Sequence, residues 1–212
     1  PSFEAFGQEN IVRPEAGACG ELVYDIIRHL TAIDAGIALP LYVAIATDTG
    51  GFQFSNTTAY THIVAAALME TGIDYRTVNK VFFRTKSRKR LALEADMLTN
   101  LEYFDRERVA FLYVPRSLMA RLQATESDAE ELSSLGAQIQ GVDCAVTFRE
   151  LGEGEWKLSV RTGERVNATE VCRAMGGGGH ARAAGCTVKA DLSEVKRRCL
   201  AAIAANAADF EG

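Results

Sequence analysis

The sequence predicts an α/β fold: helix, strand, helix in its first part, a long helix next, and a second α/β unit after it. Three observations carry that prediction. Leu41 to Thr47 (LYVAIAT) is a continuous apolar run of strand formers followed by Asp48-Thr49-Gly50-Gly51. That is the pattern of a buried parallel strand with a loop at its carboxyl end, where open α/β sheets bind ligands. Ser87 to Phe104 is helix-favouring and free of Gly and Pro. Val142 to Phe148 and Trp156 to Arg161 are strand-like runs about the turn-rich Gly152-Glu153-Gly154-Glu155, which together read as a hairpin.

The other elements follow in order. Gly20 to Leu30 carries Leu22, Val23, Ile26, Ile27 and Leu30 at amphipathic-helix spacing. After the predicted strand, Ser55 or Asn56 can cap a helix whose stripe is Ile63, Val64, Ala67 and Leu68 and which ends near Gly72. Asp74 to Arg84 is predicted helical. The basic cluster Lys86, Arg88, Lys89 and Arg90 reads as a solvated helical face, with nucleic-acid contact as the alternative. Arg108 to Val114 is predicted as a strand and Glu126 to Leu135 as a helix. In the hairpin's second strand Leu158 and Val160 point one way, and Lys157, Ser159 and Arg161 the other, so that one face is basic. Ala168 to Met175 reads as a helix running into four glycines, Cys186 to Val188 as a strand, and Leu192 to Ala208 as a closing helix.

Composition narrows the function classes. With 212 residues, 48% hydrophobic and 24% charged, the chain is that of a folded protein of one large or two modest domains. No apolar run approaches the roughly 20 residues of a membrane span. A net charge of −5 disfavours long duplex nucleic acid, which needs a broad basic surface, but allows a small anion in a local basic site. Five widely spaced cysteines, with no CxxC, favour reduced thiols and a cytoplasmic setting over disulfides or zinc.

Chemistry concentrates in three places. Gly176 to Gly185 reads GGGGHARAAG. Consecutive glycines forfeit packing and cost entropy, so they mark a sharp turn or a backbone that touches a ligand. Bare N–H groups converging on a phosphate, with His180 as a further donor, are one reading; a flexible turn with a surface histidine is the other. Asp48 suits a hard divalent cation, or equally the hydrogen bond that starts the loop. Arg161 suits bidentate phosphate contact, or a surface ion pair. His29 and His62 read as structural.

These residues also carry a family resemblance. GGGGHARAAG resembles the GGGH-x-x-AAG signature of the DHHA1 domain, and Ser159-Val160-Arg161-Thr162 is similar to the S-x-R-S element that precedes it. Asp48-Thr49-Gly50 with Phe52, Phe54, Ser55, Asn56 and Thr57 resembles the DTG-x-F segment of the DHH domain. Together they look like the DHH/DHHA1 phosphoesterases, in particular the nano-RNases that are also phosphoadenosine phosphate (pAp) phosphatases. The resemblance implies the carboxyl-terminal part of a DHH domain over 1–85, with a parallel sheet flanked by helices. It implies a connector helix over 86–106 and a smaller α/β DHHA1 domain with a mixed sheet over 107–212. It further implies two Mn²⁺ ions per complete active site, with Asp48 as the metal-binding and catalytic residue. Arg161, Thr162, Gly177, Gly178, Gly179 and His180 would bind the substrate, a short single-stranded oligonucleotide or a phosphorylated nucleotide, and a homodimer is compatible with the family.

One departure is large. The aspartate-rich first motif and the DHH triplet are absent from the sequence, which opens Pro1-Ser2-Phe3. The expectation is therefore a carboxyl-terminal part of a longer protein, with the triplet directly before Pro1 and little activity in this chain alone. The alternatives are a non-catalytic nucleotide-binding module and an exopolyphosphatase.

Overall fold

The computed structural model describes residues 10–129 and 132–207. The chain forms two compact units, Pro1–Thr85 and Lys86–Gly212.

In the first unit the regular elements among the described residues are all helices. Helix α1 spans Cys19–Leu30 and α2 spans Ala35–Asp48, so the strand predicted over Leu41 to Thr47 is a helix instead. The physical reason is burial on many sides. Ala38, Leu41, Tyr42, Ile45 and Ala46 are buried at helical spacing, but the residues between them are also mostly apolar, so the run looks continuous rather than periodic. A start signal was present: Asp34 caps the helix, its Oδ1 accepting from the Ile37 amide at 3.0 Å. Helix α3 covers Ala59–Glu70 and is capped by neither Ser55 nor Asn56. Thr58 caps it, in a reciprocal box with Thr61. Helix α4, Tyr75–Asn79, runs into a π-helical turn at Lys80–Arg84. The apolar core of this unit joins α2 to Val64, Ala65 and Leu68 of α3, with Ile73 and Val78.

The second unit begins with α5, Arg88–Thr99, shorter than the predicted run because Glu102–Phe104 forms strand β1. Strand β2 is Val109–Val114, and α6 is Arg116–Arg121. Where a helix was expected from Glu126 to Leu135 there are a short α7, Glu126–Ala129, and a 3₁₀ turn, Leu132–Ser134; residues 130 and 131 lie outside the described residues. The hairpin is β3, Cys144–Gly152, and β4, Glu155–Thr162. Then come α8, Ala168–Arg173, strand β5, Gly178–His180, strand β6, Ala183–Lys189, and α9, Leu192–Asn206.

The strands form one six-stranded mixed sheet in the order β1-β2-β3-β4-β6-β5. Among the described strands only β2 and β3 pair in parallel, and the connection through α6 and α7 supplies the crossover that a parallel pair requires. Strand alternation assigns the two faces. Val109, Phe111, Val146, Phe148, Trp156, Leu158 and Val160 bury against α8 and α9. On the other face Ala110, Leu112 and Val114 bury against Leu93 and Met97 of α5 and Leu118 of α6.

Candidate functional site

The sheet's register organises the site in the second unit. Arg161 pairs with Ala183, and Ala183 with His180. Directly paired residues share a face, so the arginine and the histidine lie in one row across β4, β6 and β5. The next row is Ser159, Gly185 and Gly178, and the one after it begins Lys157, Thr187. Traced toward β2 these rows reach Ala110, Leu112 and Val114, beneath α5 and α6. Along one face the sheet thus changes from a covered apolar half to an edge that carries Lys157, Arg161 and His180 around a row with two glycines.

The glycine run is therefore not one loop: Gly176 and Gly177 close α8, Gly178 and Gly179 open the edge strand β5, and the glycines have different reasons. Gly176, at φ +83, ends α8: the Gly177 amide donates to Cys172 O at 2.8 Å and the Gly176 amide to Arg173 O at 3.1 Å, a Schellman closure. A Cβ on Gly177 would lie 2.2 Å from Gly185 O, and one on Gly179, at φ +148, 2.6 Å from Ala184 Cα. Close strand packing requires both. Gly178 differs: nothing lies within 4 Å of where its Cβ would be. The fold does not require a glycine there, and the bare backbone faces open space.

Around this row the polar groups are held in place. Arg161 is half-buried; its Nη2 donates to Ser133 Oγ at 3.0 Å and its Nη1 to Val160 O at 3.1 Å. Thr162 Oγ1 donates to Ala181 O at 3.1 Å, and the Arg182 guanidinium donates to Gly163 O, tying the β5–β6 turn to the end of β4. Arg165 pairs with Asp143 at 2.8 Å. The structure thus brings Arg161, Thr162, Gly177, Gly178, Gly179 and His180 together in this unit. Ser133 escaped the sequence reading because it lies in a stretch with no motif, and only the fold carries it to Arg161.

In the first unit Asp48 is the last residue of α2 and is exposed. It ends a helix rather than a strand, and a helix's carboxyl end favours a nearby cation. Asn56 Nδ2 donates to Asp48 O at 3.1 Å and to Gly17 O at 2.7 Å, which fixes the following turn. Gly50, Gly51 and Phe52 are successively left-handed at φ +58, +69 and +67. For Phe52 this is strained, and its ring is held by stacking on His62 at 5.3 Å and by Tyr42 at 6.0 Å. Among the described residues no three His, Cys, Asp or Glu side chains converge as a metal site. The residues present do not fit a two-metal centre, since Asp48 alone does not make one. No helix among the described residues is long and apolar enough to cross a membrane.

Residues 107–209 match the DHHA1 domain. Over 202 residues the chain is 32% identical to the bifunctional oligoribonuclease and PAP phosphatase NrnA of Thermus thermophilus, covering 93% of this chain and 60% of the relative. It is 26% identical to the probable protein of the same name from Streptococcus mutans, covering 87% and 59%. The crystal structure of an exopolyphosphatase-related protein from Bacteroides fragilis shares the fold, with a TM-score of 0.87 at 23% identity over 95% of this chain and 60% of that one. The chain thus spans about three-fifths of the length of these relatives. It carries a DHHA1 domain over residues 107–209 and is similar along nearly its whole length to these relatives.

Proposed function

We propose that this chain supplies the substrate grip of a phosphoesterase that hydrolyses short oligonucleotides to mononucleotides and pAp to AMP. The observation that carries the reading is the row Arg161, Ala183, His180 beside the open row Ser159, Gly185, Gly178. A guanidinium and an imidazole flank exposed backbone on which a phosphate and its nucleoside can rest. Arg161 and His180 hold the phosphate, Thr162 fixes the turn that carries the histidine, and Gly177, Gly178 and Gly179 keep the strand bare. The names of the Thermus and Streptococcus relatives support the choice of substrates.

Asp48 is proposed as one carboxylate of a Mn²⁺ site. Among the described residues Asp48 lacks the partner ligands for a pair, and the role proposed for the residues of the second unit is to bind and orient. The free thiols fit a cytoplasmic setting. Calorimetric titration with pAp tests the reading. Arg161→Ala and His180→Ala should each weaken binding about tenfold or more, as expected for a charge-assisted contact, with an unchanged melting temperature. Unchanged affinity in both would contradict it.

A further inference from the structure

We infer that Ser133 is a positioning residue for Arg161, holding its guanidinium at the ligand-facing side of the sheet. This rests on the phosphate-binding reading of Arg161. A long arginine side chain with many rotamers grips an anion well only if it is held beforehand, because ordering it on binding costs affinity. Of its two hydrogen bonds, the one to Val160 O is to its own strand and fixes little. The other, to Ser133 Oγ at 3.0 Å, comes from a residue 28 positions away. Ser133 is itself held, since its neighbour Leu132 is 1% exposed in the core on the same side of the sheet.

The chemistry of the holder also matters. Among the described residues Arg161 makes no ion pair, and its partners are a hydroxyl and a carbonyl. A carboxylate would orient the guanidinium but cancel its charge. A hydroxyl orients it and leaves the full positive charge for an incoming phosphate.

The test is a double-mutant cycle on the 212-residue chain, read by calorimetric titration with pAp. Ser133→Ala should weaken pAp binding about three- to tenfold without lowering the melting temperature, and Ser133→Thr, which keeps the hydroxyl, should restore most of the loss. In an Arg161→Ala background Ser133→Ala should have no further effect. If Arg161→Ala weakens binding and Ser133→Ala does not, the positioning role is overturned while the phosphate reading stands. An equal loss from Ser133→Ala with and without Arg161 also overturns the positioning role. If Arg161→Ala itself leaves affinity unchanged, both fall together.

Discussion

Adjacent glycines in one run serve different ends. Gly177→Ala drives a methyl group onto the Gly185 carbonyl and should destabilise the second unit by about 1–3 kcal/mol, seen as a lowered urea midpoint. Gly178→Ala meets open space and should change stability by no more than about 0.5 kcal/mol. It should nonetheless weaken pAp binding, because the added methyl stands on the exposed row. A variant of Gly178 that binds as well as the parent would remove the reason for reading that row as a ligand surface. The glycine–histidine signature was legible in the sequence as a whole. The division of labour within it was not, because it depends on β6 lying against Gly177 and Gly179 and on no element lying against Gly178. Ser133 was likewise illegible: nothing in its neighbours marks it, and a 3₁₀ turn brings it to Arg161.

Among the elements, β4 and α2 contrast. The alternation of Trp156, Leu158 and Val160 with Lys157, Ser159 and Arg161 was readable because one side of β4 is buried and the other is not. Helix α2 was misread because its open side is apolar too, Leu39 among it, and a short apolar run carries no period. Its capping aspartate was the more reliable sign. The same holds for α3, where local hydrogen bonding by Thr58 and Thr61 decides the start and nearby Asn56 goes to Gly17 O and Asp48 O instead. Thr58→Ala should therefore cost about 1 kcal/mol of stability in the first unit, while Ser55→Ala should cost nearly nothing. Equal losses in denaturant titrations would show that the cap is misassigned.

At the scale of the whole molecule, four of the cysteines share one core. Cys144, Cys172, Cys186 and Cys199 all lie between the sheet and α8 and α9. Burial pushes the Cys144 thiol up to about 12 and raises that of Cys199 as well. An unfolded thiol titrates near 8.5. As pH rises the unfolded chain therefore loses these protons first, and stability that is complete below about pH 8.5 declines as pH approaches 12. The urea midpoint should fall above about pH 9, and it should fall less steeply in Cys144→Ala, whatever that variant loses at pH 7. A midpoint that stays flat from pH 8 to pH 11 would contradict this.

The α/β class, the hairpin and the DHHA1 signature were all readable from local pattern, since each depends on residues close in sequence. The helical nature of the first unit's described regular elements and the row joining Arg161 to His180 were not, because both are set by what packs beside them. The account rests centrally on that row as a nucleotide surface, and hydrogen–deuterium exchange of the chain with and without pAp tests it most directly. The expected result is slowed exchange confined to Gly176–Ala184 and the Ser159–Gly163 end of β4, reached in Arg161→Ala only at about tenfold or more higher pAp. Protection that appears elsewhere, or that Arg161→Ala reaches at the same pAp concentration, would contradict it.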